Sequence, residues 1–501
     1  MNIVVVGGGS AGWLTALYAK KVYENSTVTL VESEEYGVLG AGEGGTPQLL
    51  TLLEFLDISV EDIVYNCSAT VKNGIKFTNW SKKDKHYYHP FGSVSSSSND
   101  YNFYYDDFFE NNTGYSHIYA QDFGHSTEDY VFIEKISEQH KIPNSNFNLK
   151  TSHWGISIHF DARKLAIRLR QIAESRGVVR KEGLVQELLT NPEGYITEIK
   201  TNKETIKASF VFDCSGFRRL VIGNFYKQKW KSYSKHLPAK KAIPFFLEPS
   251  NLIPPYTESI AMDYGWMWKI PLQHRYGCGY VFDTDYISED KAKEEVIKYL
   301  GYEVEFPTIF SFNPGCFENV WHKNVLAIGL SAGFLEPLEA TSLWQSINTL
   351  KKFFSNNSNI LTKNKSTIEK FNKDYVNENQ EYVDLVYTHY ITSRTDTNFW
   401  KDFLKNNETP EFVKYIIEVS KERPLTDFDF SDRKLYSFVN YFYVLLGNEV
   451  ITKDMLQNYK KYIYNKTDIY KSILENQKTL IDSCVTHNQY LDNAIINYEK
   501  N

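Results

Sequence analysis

The sequence predicts an α/β fold, on three observations near its start: the β-branched apolar run Asn2–Val6, the glycines Gly7, Gly9 and Gly12 that follow at once, and a second strand-like run, Thr27–Val31, closed by Glu32. A short Ile/Val run bounded by glycine is the text of a buried parallel strand. With the helical pattern that continues to Val22, strand, helix and strand make a βαβ unit of ordinary length. The opening is therefore of Rossmann type. Gly7 permits a tight turn, Gly9 lets the backbone approach a pyrophosphate, and Gly12 lets helix and strand close up, with Ser10 and Ala11 between them. The Glu32 carboxylate suits ribose hydroxyls and argues against a 2′-phosphate, which leaves FAD or NAD. A lone glycine triplet is weak evidence, whereas strand, triplet, helix, strand and acid in order are specific.

The remaining elements follow in chain order. Ser93–Asn99 is serine-rich with no apolar period and reads as a mobile surface loop. From His159 to Arg176, Leu165, Ile167, Leu169 and Ile172 sit among charges in a helical pattern that stops at Gly177. Strand-like text returns at Phe210–Phe212, Met267–Leu272, Tyr280–Phe282 and Val325–Ile328. Beyond Lys351 the text turns Lys/Asn/Tyr-rich and helical in period, with a break near Pro424. The expected organisation is an α/β body over 1–365 and a mainly helical C-terminal subdomain over 366–501, without internal repeats.

Composition narrows the function. The chain has 501 residues with 36 Tyr, 32 Phe and 9 Trp, which need a core and exclude a disordered chain. A net charge of -7 gives no attraction to phosphate backbones, so no nucleic-acid partner is expected. The opening MNIVVVGGGSAGW lacks a basic n-region and a cleavage site and is too short to span a bilayer, so a cytoplasmic protein without a membrane role is expected. Five cysteines without C-x-x-C spacing read as reduced thiols, with neither a disulfide framework nor a metal site. Only one dinucleotide fingerprint is present, so electrons are expected from a separate partner.

Four further segments are distinctive. Gly265-Trp266-Met267-Trp268-Lys269-Ile270-Pro271 carries W-x-W-x-I-P, Ile328 to Ser342 is a second glycine-containing run, and Ala69 to Phe77 and Asp213 to Arg218 complete the set. Together they resemble the flavin-dependent halogenases, the aromatic-halogenating family that includes the tryptophan halogenases. Weaker similarity runs from His389-Tyr390 to Phe399-Trp400. The resemblance implies a FAD-binding body of the flavin monooxygenase/halogenase kind and a two-component reaction. A separate NAD(P)H-dependent flavin reductase supplies FADH2, which with O2 and a halide ion, chloride or bromide, yields hypohalous acid for a small electron-rich aromatic substrate. It implies Lys72 and Glu339 as catalytic residues, Gly42 and Leu330 as further cofactor contacts, and backbone N–H groups of Thr341 and Ser342 as halide donors. His89, Phe91, Tyr441 and Phe442 match substrate-pocket positions, and homo-oligomerisation is left open. The chemistry suits these residue types: an ammonium can hold an electrophilic halogen, and a carboxylate can take the ring proton after substitution.

Departures and plain readings stand beside this. In the strap Gly40-Ala41-Gly42-Glu43-Gly44-Gly45-Thr46-Pro47, Gly45 replaces the usual Thr, and Ala340 and Ser342 stand where Ser and Gly are common. By period two, Lys72 and Lys76 share a strand face and spacing does not choose between them, whereas the motif selects Lys72. Trp266 and Trp268 also share a face and read as core, and His159-Phe160-Asp161-Ala162 reads as structural. Two rival functions are a single-component flavin hydroxylase or monooxygenase and a non-catalytic FAD-binding protein.

Overall fold

The computed structural model describes residues 1–35, 43–91, 132–142, 156–452 and 481–500, with 454, 455, 458 and 479. Ser93–Asn99 and the strap glycines Gly40 and Gly42 lie outside the described residues. Two compact units are present, each drawn from three stretches of chain. The first holds Met1–Ala69, Phe160–Ser234 and Phe312–Gln380, and the second Thr70–His159, Lys235–Ser311 and Glu381–Asn501. The sequence suggested one cut near residue 365; the units instead interleave, because their sheets recruit strands from distant segments. After residue 365 the described elements are helices apart from the two-residue strand Val485–Thr486.

The first unit is built on a six-stranded sheet in the order Trp321–His322, Val325–Ala327, Phe210–Asp213, Asn2–Val6, Thr27–Glu32, Val179–Glu182. All neighbours run parallel except the Trp321–His322 edge. Val4 and Val5 point to opposite faces and both are fully buried, which explains the unbroken apolar text of the first strand. Thr27–Glu32 lies on one side of that strand and Phe210–Asp213 on the other, so the strand order reverses at its carboxyl end. Open α/β sheets bind ligands at this switch point. The helix read from His159 onward begins only at Ala162. His159 and Phe160 belong to the strand Ser157–Phe160, and the Asp161 carboxylate accepts from the N–H groups of Arg163 and Lys164, a cap that fixes where the helix starts.

The second unit is built on a seven-stranded sheet, in the order Phe310–Ser311, Lys241–Leu247, Tyr276–Phe282, Gly265–Pro271, Thr257–Ala261, Gly74–Thr78, His86–Pro90. Its pairs are antiparallel except Thr257–Ala261 with Gly74–Thr78. The W-x-W-x-I-P strand is central. Trp268 lies opposite Gly279, where a Cβ would stand 2.1 Å from the indole, so glycine makes room for the ring. Trp266 is fully buried beside Trp80, which packs edge-on against Tyr390 and Trp400. The indole N–H groups of Trp80 and Trp400 donate to the carbonyls of Ser259 (3.0 Å) and Met262 (2.7 Å), the usual arrangement for buried tryptophans.

Candidate active site

In the first unit the fingerprint forms the turn its residues call for. Gly7 has φ +116°, its N–H donates to Val31 at 2.8 Å, and a Cβ there would meet the Cys214 carbonyl at 2.2 Å. A Cβ on Gly12 would lie 1.9 Å from the Gly7 carbonyl oxygen. At Gly9 the space is open, and Ser10 Oγ is buried with no hydrogen-bond partner among the described residues. An open cradle beside a waiting polar atom, at the amino end of the helix Ser10–Val22, fits a dinucleotide pyrophosphate. Glu32 accepts from Arg180 at 2.6 Å, which fixes its carboxylate at the strand end. Leu330 lies in the short turn Gly329–Ser331, and at Gly329, with φ +71°, a Cβ would lie 3.0 Å from the Ala11 Cβ. Burial, with the Asp161 carboxylate adding to it, pushes the Glu43 carboxyl up to about 7.

Glu339, Thr341 and Ser342 follow one another in the same unit. Glu339 and Thr341 are buried, and Thr341 and Ser342 open the helix Thr341–Phe354. Ala340 just before it is left-handed, at φ +54°, and offers no side-chain cap. A non-glycine residue held there costs on the order of 1–2 kcal/mol. First-turn N–H groups without a side-chain cap suit an anion.

The second unit separates the two lysines. They do not share a strand: Thr70–Lys72 pairs with Ser157–Phe160, and Gly74–Thr78 belongs to the seven-stranded sheet. The break is at Asn73, whose N–H donates to the Pro255 carbonyl (2.6 Å) and whose carbonyl accepts from Phe91 (3.0 Å). Lys72 is buried, with its ammonium 4.9 Å from the centre of the Phe91 ring. Lys76 is engaged by Glu138 at 2.8 Å. Glu138 also takes Tyr88 and His86, and these hydrogen bonds hold its carboxyl well below the usual range.

His89, buried at the end of His86–Pro90, meets a residue that the sequence did not single out. Asn440 Oδ1 accepts the N–H of Ser437, so its amide nitrogen donates to His89 Nε2 at 3.0 Å. Tyr441, the next residue, packs against Phe412 and Phe430 in the helical part, and Phe442 is buried too. Of the pocket positions, Phe91 is thus brought to Lys72 and His89 to the helix Phe438–Gly447. Gly42 lies outside the described residues. The partner of His89 and the Arg180 clamp have no local signal, since each joins residues more than a hundred positions apart.

A profile of the tryptophan halogenase family matches residues 2–462. The chain belongs to that family. Tryptophan 6-halogenase SttH of Streptomyces toxytricini is 32% identical over 448 residues, covering 83% of each chain. Among solved structures, a flavin-dependent halogenase from Xanthomonas campestris superposes with a TM-score of 0.86 at 26% identity, covering 98% of both chains. One from a Brevundimonas species gives 0.83 at 25% identity, covering 98% of this chain and 99% of that one. The halogenase assignment carries flavin, halide and O2 with it. No helix among the described residues is long and apolar enough to cross a membrane.

Proposed function

We propose that this halogenase is a two-component, FADH2-dependent enzyme that acts on a free, electron-rich aromatic ring. Reduced FAD, with O2, supplies the two-electron oxidation that turns halide into hypohalous acid. The turn Gly7–Gly12, with Glu32 and Leu330, holds the cofactor, and the N–H groups of Thr341 and Ser342 hold the halide. Lys72 binds the electrophilic halogen, Glu339 takes the proton released by the ring, and Phe91 and His89 bound the space for the substrate. The observation that carries this reading is the buried ammonium of Lys72 over Phe91, while its neighbour Lys76 is held by Glu138. The names of relatives such as tryptophan 6-halogenase favour indoles.

The test incubates the protein with FAD, NADH, a flavin reductase and chloride or bromide against indoles, phenols and pyrroles, read by mass spectrometry. Halide-dependent ring halogenation is expected, and no NADH oxidation when the reductase is omitted. Hydroxylated product formed without halide would establish the monooxygenase rival, and rapid NADH turnover by the protein alone would end the two-component reading.

Thr341→Pro tests the halide donors. Proline suits the first position of a helix but crowds the left-handed Ala340 before it, so one N–H is lost and the fold of the variant is checked by circular dichroism. A hydrogen bond to a charged group contributes about 1.5–3 kcal/mol, so the halide concentration for half-maximal product should rise roughly 10- to 100-fold. An unchanged halide requirement in folded Thr341→Pro would place the halide elsewhere.

A further inference from the structure

The lysine strand is held by side chains that none of the roles above uses. Thr70–Lys72 is three residues long and lies at the edge of its small sheet, with Thr70 opposite His159, Val71 opposite Ile158 and Lys72 opposite Ser157. Among the described residues no strand covers its other edge. There the N–H of Val71 donates instead to Nε2 of His487, at 2.8 Å, and Nδ1 of His487 lies 3.0 Å from the Ile253 carbonyl. A neutral imidazole has one donor and one acceptor, and these two bonds use both and fix the tautomer. The ring is fully buried, and burial pushes its pKa down to about 4, so the acceptor nitrogen is available near neutral pH. The histidine is itself anchored: its N–H donates to the His140 carbonyl at 2.9 Å, and Val485 and Thr486 pair with Ile142 and Lys141.

We propose that His487 is a positioning residue for Lys72, standing in for a missing neighbouring strand and fixing the backbone from which the ammonium projects. The residue before Val71 is pinned in the same way. Thr70 Oγ1 donates to the Pro271 carbonyl at 2.7 Å and so accepts from His159 Nδ1 at 3.0 Å, which leaves His159 Nε2 to accept from Thr257 at 2.9 Å. Pro271 closes the W-x-W-x-I-P strand, so that motif bears on the lysine through Thr70. Misplacing a reacting group by about 1 Å can cost a hundredfold in rate.

The inference rests on the catalytic reading of Lys72, and Lys72→Ala in the same assay keeps the two apart. His487→Asn retains an amide near Ile253 but is too short to reach Val71. His487→Leu fills the ring's volume with neither bond, and His487→Gln restores an acceptor at the Nε2 position. Each full-length variant is compared for halogenated indole formed per reduced FAD oxidised, with its fold checked by circular dichroism. The Asn and Leu variants should lose about tenfold or more in that ratio at an unchanged rate of flavin oxidation, and the Gln variant should recover to within about threefold. An undiminished ratio in either short or apolar variant overturns the proposal. Equal loss of flavin oxidation and product, or a Gln variant as poor as Leu, also overturns it, because the role would then be bulk packing. If Lys72→Ala itself keeps its product, the reading of the lysine is what fails.

Discussion

Lys72→Ala should go on consuming reduced FAD and O2 at close to the parent rate while forming almost no halogenated product. On the proposed reading the oxidant is made where flavin and halide meet and is used at Lys72, so the two halves of the reaction should separate when only the second is removed. A thousandfold drop in product formation corresponds to about 4 kcal/mol of transition-state stabilisation. Lys76→Ala is the control. Its ammonium is committed to Glu138 and lies over the rings of Tyr88 and Tyr256, so its loss should cost about 1 kcal/mol of stability or less and leave product formation intact. Single-turnover oxidation of reduced FAD, followed in parallel with product by mass spectrometry, decides between them. Retained halogenation in Lys72→Ala, or its loss in Lys76→Ala with flavin oxidation intact, would show that the catalytic role had been given to the wrong residue.

The second large effect is on stability. Asp213, at the end of the third strand of the parallel sheet, is fully buried. Its Oδ1 accepts the N–H of Ser215 at 3.1 Å and the Ser215 hydroxyl at 2.6 Å, and its Oδ2 accepts the N–H groups of Val221 and Ile222, both at 2.9 Å. Asp213→Ala strands three backbone donors at once. Each donor left unsatisfied in the interior costs about 1–3 kcal/mol, so a loss of about 4 kcal/mol or more is expected, out of a total that is commonly about 5–15. Guanidinium unfolding should show the midpoint falling with little change in slope. Asp213→Asn keeps one acceptor oxygen and should fall between the two. A midpoint that stays at the parent value would mean that water or local rearrangement replaces the carboxylate.

How much of this was legible in the sequence depends on how far apart the interacting residues lie. The strand, the tight turn at Gly7 and the close packing at Gly12 were legible because strand, glycines, helix and acid are neighbours in the sequence. The lysine pair was misread as one strand because period two sees only alternation. The chain is turned at Asn73 by bonds to Pro255 and Phe91, and the Pro255 partner lies far along the sequence. The helix after His159 was placed too early because the apolar spacing runs on through the strand, whereas the Asp161 cap sets its start. Asn440 and His487 are single polar residues in helical text, and nothing near them announces a bond to His89 or to Val71.

The interleaving of the two units also governs how the protein can be made. The first strand, Asn2–Val6, pairs with Thr27–Glu32 almost as soon as both are synthesised, but its other partner, Phe210–Asp213, follows some two hundred residues later. At a translation rate of roughly 5–20 residues per second, that edge waits on the order of 10–40 seconds on the ribosome. The next strand, Val325–Ala327, comes later still. In the second unit the N–H of Val71 gains its acceptor only when His487 is made. The first unit can therefore finish folding only once the chain has emerged to Gln380, and the second only when nearly all of it has, so each must be held against aggregation until then.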